Sequence, residues 1–119
     1  RGLGEIIRLA TAMGANRQAF LGLAGIGDLI ATCTSPLSRN YTVGARLAKG
    51  ETLEQIIASS TEVAEGIKTV SISKKIADST GIRLPIIQNI YKVLFENMNV
   101  HQALNYLMEY RWGADADYL

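Results

Sequence analysis

The sequence predicts an all-α domain of six or seven compactly packed helices, and three observations carry that expectation. Apolar residues recur at helical spacing, first at Leu3, Ile6, Ile7, Ala10 and Met13 and most clearly at Ile86, Ile87, Ile90, Val93 and Leu94. Helix start and stop residues fall at the ends of these sets. No stretch alternates as a half-buried strand should. The β-branched run Lys68–Ile76 is where a strand competes, and its flanks favour helix.

The first helix runs to Met13 and stops at Gly14, a C′ glycine. Asn16 caps a second, Arg17–Leu23, with Phe20 and Leu21 on its apolar side. Gly25 and Gly27 are expected to break it, and Leu29, Ile30 and Cys33 mark a short helix from about Gly27 to Thr34. After Pro36, Ser38 caps Arg39–Ala48, which ends at Gly50. Thr52 with Gln55 reads as a capping box for Leu53–Ala58, and Ser59-Ser60-Thr61 as a polar hinge. Val63, Ile67, Val70 and Ile76 carry the pattern to Gly81. Pro85 opens Pro85–Glu96, where its missing N–H costs little. Asn99 with Gln102 reads as a second capping box, for a last helix to about Tyr110 with Val100, Ala103, Leu104, Leu107 and Met108 on its apolar side. Trp112 to Asp117 reads as a loose tail.

Composition narrows the function. At 119 residues and 48% hydrophobic, the chain can form one domain with a real core. Twelve basic and eleven acidic residues leave a net charge of +1, which argues against nucleic acid as a main partner. Cys33 is the single cysteine, so no internal disulfide forms; it reads as a small packed residue, because no His lies near it in sequence. His101 stands alone, and no metal site is expected. No apolar run approaches the roughly 20 residues of a membrane span. The chain starts at Arg1 without Met and shows no signal peptide.

The stretch Gly22–Asn40 draws the eye. Three glycines precede Asp28, and Ser38-Arg39-Asn40 open a helix. Free N–H groups and the helix dipole make such a start, with an Arg beside it, a natural place for an anion. A carboxylate for hydroxyls, an Arg for an anion and no extended apolar pocket suggest a small phosphorylated polyol. Thr32 lies one helical turn after Asp28 on the same face. Each residue also has an ordinary reading. The glycines could form a plain helix connection, Asp28 could be an N-cap or first-turn acid, Thr32 could bond back to its own helix, and Ser38 could be a cap beside a solvated Arg39.

Residues Gly22-Leu23-Ala24-Gly25-Ile26-Gly27-Asp28-Leu29, Thr32-Cys33-Thr34-Ser35, Leu37-Ser38-Arg39-Asn40 and Val63-Ala64-Glu65-Gly66 together carry a more specific signal. They resemble bacterial-type NAD(P)-dependent glycerol-3-phosphate dehydrogenase, and the resemblance runs from Arg1-Gly2-Leu3 to about Leu107. It implies a fold like the C-terminal domain of 6-phosphogluconate dehydrogenase. It also implies that residues 1–119 are the C-terminal, substrate-binding domain, with the Rossmann domain and the proton-donor Lys upstream of Arg1. No catalytic residue is then expected in this chain, and the fragment alone should be inactive.

By the same resemblance, Asp28, Thr32, Ser38, Arg39 and Asn40 bind the substrate, dihydroxyacetone phosphate or sn-glycerol 3-phosphate. Arg39, Val63 and Glu65 reach the cofactor, NAD(P)H, which is held mainly by the other domain. The family's product feeds phospholipid synthesis in the cytoplasm. A homodimer is compatible with this reading, and the oligomeric state stays open. Two alternatives stay open as well: a non-catalytic helical interaction module, and the helical domain of a β-hydroxyacid dehydrogenase, against which Ser38-Arg39-Asn40 weighs. Tyr106, Tyr110 and Trp112 could line the core edge or an interface.

Overall fold

The computed structural model describes residues 1–62 and 64–110. Among them are seven α-helices: α1 (Gly2–Ala12), α2 (Leu23–Thr34), α3 (Arg39–Ala48), α4 (Leu53–Ser59), α5 (Glu65–Thr80), α6 (Pro85–Phe95) and α7 (Val100–Glu109). A 3₁₀ turn covers Arg17–Phe20, and there is no strand among the described residues. The all-α expectation is met, and the β-branched run that competed for strand lies wholly within α5. The tail from Trp112 and the cofactor-edge candidate Val63 lie outside the described residues.

Helix α5 is the hub, packing against α1, α3 and α6, while α7 packs on α6 and α3. Val70, Ser73 and Ala77 give α5 one buried stripe at helical spacing. Ile7 of α1, Leu84 before α6 and Ala103 of α7 are also buried, and Ile56 of α4 closes the core beneath α3. The stop and start residues act as expected at most ends. Gly14 follows α1 at φ +92 and Gly81 ends α5 at φ +72, both in the left-handed region that favours glycine. The Thr52–Gln55 capping box forms with both of its bonds. At α7, Asn99 Oδ1 accepts from the amides of His101 and Gln102, and the reciprocal Gln102 bond is not seen among the described residues.

The N-terminus of α6 is capped from a distance. Leu84, at the N-cap, has no side-chain acceptor, and Pro85 has no N–H, so the next two amides need a partner. Glu5, 3% exposed, supplies it: Oε1 accepts from Ile86 N at 2.6 Å and Oε2 from Ile87 N at 3.2 Å. Burial pushes the Glu5 carboxyl above its ordinary value, and the two backbone bonds and Arg8 oppose that. Arg8 of α1 donates to the Arg83 carbonyl, so α1 is tied to the α5–α6 link at a second point.

The expected helices differ most around the glycines. Gly25 and Gly27 do not break a helix; they lie inside α2, which begins at Leu23. Each costs only about 1 kcal/mol relative to Ala in a helix interior, too little to end one that has packing partners. Gly25 also serves packing, since a Cβ there would sit 3.2 Å from the Phe20 carbonyl oxygen, where α2 meets the 3₁₀ turn. Asp28 is therefore a mid-helix residue and not a first-turn acid. Cys33 is exposed, which corrects the packed reading. The apolar stripes are also only partly covered: Met13, Leu104 and Met108 stand exposed.

Candidate functional site

Helix α3 begins at a tight turn. Ser38 N donates to the Ser35 carbonyl at 3.1 Å, and Ser35 Oγ accepts from Leu37 N at 3.3 Å. Ser38 is the N-cap, its Oγ accepting from Tyr41 N at 3.3 Å, as a serine there should. Arg39 and Asn40 are thus the first two helical residues, and their side chains leave the helix at its positive end.

Asn40 joins this end to another. Its Oδ1 accepts from Gly66 N at 3.1 Å, across 26 residues of chain. Gly66 is the second residue of α5, so the N-termini of α3 and α5 converge. The approach depends on the missing side chain: a Cβ on Gly66 would lie 2.5 Å from Asn40 Oδ1. Glu65 stands exposed at the first position of α5. Two converging positive helix ends favour an anion between them.

Arg39 is held from the other side. Its Nε donates to Glu62 Oε2 at 2.7 Å, and neither terminal nitrogen has a hydrogen-bond partner among the described residues. Arg46, two turns on, is engaged through two of its nitrogens. Its Nε and Nη2 donate to the two oxygens of Glu51, each at 2.7 Å, and Nη2 also donates to Ser59 Oγ at 2.6 Å. The Arg46 hydrogen bond keeps the Glu51 carboxyl below its ordinary value. Both arginines line a cavity of about 280 Å³ between α3 and α4, with Thr42, Ser59, Thr61 and Glu62.

Asp28 and Thr32 lie on the exposed side of α2, one turn apart as expected. Asp28 makes no ion pair or side-chain hydrogen bond among the described residues, and its mid-helix place leaves it neither an N-cap nor a first-turn acid. Thr32 likewise shows no bond back to α2, although Thr34 Oγ1 does bond to the Ile30 carbonyl. The structure thus gathers Ser38, Arg39, Asn40 and Glu65 around two helix ends, and leaves Asp28 and Thr32 on the neighbouring helix with no side-chain hydrogen bond or ion pair to them among the described residues.

Two features escaped the sequence reading. Glu62 has no periodicity or motif to flag it; only its place just before Val63-Ala64-Glu65-Gly66 hinted at a role. The expectation of no extended apolar pocket is corrected as well. A groove of about 620 Å³ opens beside Asn40, Glu65 and Gly66 and runs between α3, α5, α6 and α7, lined by Val70, Leu94, Leu104 and Leu107. It exists because the apolar stripes of α6 and α7 are only partly covered.

The domain is all-helical among the described residues, with two helix N-termini meeting at Asn40 and Gly66. A family model described as the NAD-dependent glycerol-3-phosphate dehydrogenase C-terminus matches residues 1–105, and the chain belongs to that family. The chain is 50% identical over 117 residues to the glycerol-3-phosphate dehydrogenase (NAD(P)+) of Teredinibacter turnerae, covering 98% of this chain and 34% of that one. It is 48% identical over 108 residues to the enzyme of that name from Macrococcus caseolyticus, covering 91% and 32%. With that of Azotobacter vinelandii it shares 44% identity over 119 residues, covering 100% and 35%. The chain therefore spans about a third of the length of these relatives. No helix among the described residues is long and apolar enough to cross a membrane.

Proposed function

We propose that this chain is the C-terminal, substrate-binding domain of an enzyme that reduces dihydroxyacetone phosphate to sn-glycerol 3-phosphate with NAD(P)H. The observation that carries the reading is the junction of the α3 and α5 N-termini through Asn40 and Gly66, with the Arg39 fork beside it. Family membership and the relatives' names support the reaction. In this reading the nucleotide-binding domain and the proton-donor lysine lie elsewhere in the longer protein.

The roles follow from the chemistry of each group. Arg39 binds the substrate phosphate through its terminal nitrogens, a planar fork suited to two oxygens of one anion. Ser38 and Asn40 fix the start of α3, whose amides and dipole add to the same charge. Asp28 accepts a hydrogen bond from the substrate hydroxyl and orients it, with Thr32 at the edge of the site. Phosphate binding away from the reacting carbon supplies free energy that can be used there.

The residues present also fit one edge of a dinucleotide. Arg39 and the exposed start of α5, with Glu65, present donors and an acceptor beside the Gly66 cradle, where a Cβ would intrude. The cofactor, when bound, supplies the hydride. Arg39 and Glu65 hold its edge, and Val63 is proposed to join them.

The test is Arg39→Ala and Arg39→Lys in the full-length dehydrogenase carrying this domain. Losing a hydrogen bond to a charged group costs about 1.5–3 kcal/mol, so kcat/KM for dihydroxyacetone phosphate should fall at least about tenfold for Ala, with Lys in between. A carbonyl substrate without the phosphate should show a much smaller loss. Equal losses on both substrates would remove the phosphate assignment.

A further inference from the structure

We infer that Glu62 is a positioning residue for substrate binding: it holds Arg39 by Nε alone, so that both terminal nitrogens are left for the phosphate. The inference rests on the reading of Arg39 as the phosphate ligand. It goes beyond that reading by assigning the group that aims the ligand.

The two arginines of α3 make the case by contrast. Arg46 spends Nε and Nη2 on Glu51 and shares Nη2 with Ser59, so one whole edge of its guanidinium is already occupied. Arg39 meets a carboxylate too, but through one nitrogen only, at 2.7 Å. Residues 39 and 46 fall on the same face of α3. What differs is the acid each meets: Glu51, on the link between α3 and α4, takes two nitrogens of Arg46, whereas Glu62, on the link between α4 and α5, takes one of Arg39.

Glu62 is anchored on its N-terminal side. Ser60 Oγ donates to the carbonyl of Ile56 at 2.6 Å, and Ile56 is buried. Ser59 is gripped by Arg46. On the C-terminal side Ala64 is buried against the core. The residues flanking the acid are thus held on the α4 side and at Ala64, and its carboxylate meets Arg39 Nε at 2.7 Å.

The pair does not serve stability. The Arg39 and Glu62 side chains are 56% and 63% exposed, and ion pairs that open to water contribute little to folding. An unheld arginine carries substantial rotamer entropy, which a ligand must remove on binding. Holding Nε beforehand removes part of that cost before the phosphate arrives. The negative charge of Glu62 opposes the phosphate, so orientation and repulsion compete, and the conservative variant separates them.

The experiment uses the full-length dehydrogenase carrying this domain, with steady-state kinetics on dihydroxyacetone phosphate and thermal melts. Glu62→Ala should raise KM about three- to tenfold, with kcat within about twofold and Tm unchanged. Glu62→Gln keeps an acceptor for Nε and removes the charge; it should bring KM to within about twofold of wild type or below it. In an Arg39→Ala background, Glu62→Ala should add no further loss, because it acts only through Arg39. The proposal is overturned if Glu62→Ala leaves KM unchanged or lowers it, if Gln is as poor as Ala, if the loss persists without Arg39, or if Tm falls with it. Phosphate-specific losses for Arg39→Ala alongside a silent Glu62→Ala would overturn this inference alone. Losses for Arg39→Ala that ignore the phosphate would instead remove the reading beneath it.

Discussion

The α1–α5–α6 half of the domain and the α2–α3 half are built on different terms. In the first, Leu84 and Ile7 are 0% and 1% exposed, and a buried carboxylate closes a helix end 81 residues away. In the second, α2 buries none of its twelve residues, and Leu23 and Leu37 are 89% and 91% exposed. The candidate substrate ligands Asp28, Thr32, Arg39 and Asn40 belong to the second half and are exposed, and Glu65, at the cofactor edge, stands on the exposed first position of α5. Stability is thus concentrated where the proposed chemistry is not, a division that lets binding residues change without unfolding the scaffold. It also means that a substitution should move either Tm or KM, seldom both.

The largest stability effect is expected at Glu5. Glu5→Ala leaves the amides of Ile86 and Ile87 without a partner in a part-buried place, a loss of about 2–3 kcal/mol and a fall in Tm on the order of 10 °C. The pH dependence has a definite sign. The folded state raises the Glu5 carboxyl above its ordinary 4.5 because burial outweighs its hydrogen bonds. The folded state therefore holds the proton more tightly than the unfolded one. That contribution is fully present below pH 4.5 and is lost as pH rises through the raised value. Glu5→Gln cannot titrate, so the wild-type-minus-Gln difference in Tm should shrink over that range. A difference that grows with pH would mean that the amide bonds outweigh desolvation.

How much of this was legible in the sequence follows the same division. Local signals were read well: Thr52 with Gln55, Pro85, Gly14 and Gly81 each act within a few residues of themselves, and helical periodicity placed most of the elements. The misreadings came where a distant partner decides. Gly25 looks like a breaker until the Phe20 backbone comes close to it against α2. Glu5 reads as an ordinary polar residue near an apolar stripe until α6 arrives with two empty amides. In the candidate site, the helix start and family resemblance both marked Ser38-Arg39-Asn40, and the resemblance marked Glu65; the structure brings these residues to two adjoining helix ends. Glu62 was not, since its partner is 23 residues away and no helical spacing links them.

An intermediate case lies on the seam between the halves. Gly66→Ala would put a Cβ 2.5 Å from Asn40 Oδ1 and 2.7 Å from Asn40 Cγ, so the Asn40 side chain must move and its bond to Gly66 N is lost. That bond is worth about 1 kcal/mol, and replacing Gly by Ala in a helix returns up to about 1 kcal/mol. The two nearly cancel, and Tm should stay within about 4 °C of wild type. The junction of α3 and α5 is nonetheless disturbed, so KM for dihydroxyacetone phosphate in the full-length enzyme should rise about three- to tenfold. A large fall in Tm would show that the seam belongs to the core half.

The smallest stability effect is expected at Asp28, and it gives the sharpest test of the separation. Asp28 sits in the middle of α2, exposed, with no ion pair or side-chain hydrogen bond among the described residues. Asp28→Asn keeps the size of the side chain and nearly the same helix propensity, and it opens no cavity. Exposed changes of this kind stay within about 0.5 kcal/mol, so the melting curve should superimpose on that of the wild type. The carboxylate is what the substrate hydroxyl needs, because an ionised oxygen is a much stronger acceptor than an amide carbonyl. In the full-length enzyme, kcat/KM for dihydroxyacetone phosphate should therefore fall by about tenfold or more, at about 1.4 kcal/mol per tenfold. Melts and kinetics on the same preparation decide the matter. An unchanged kcat/KM would take Asp28 out of the site, while a Tm lowered by several degrees would mean that α2 contributes to the fold through contacts its exposure does not reveal.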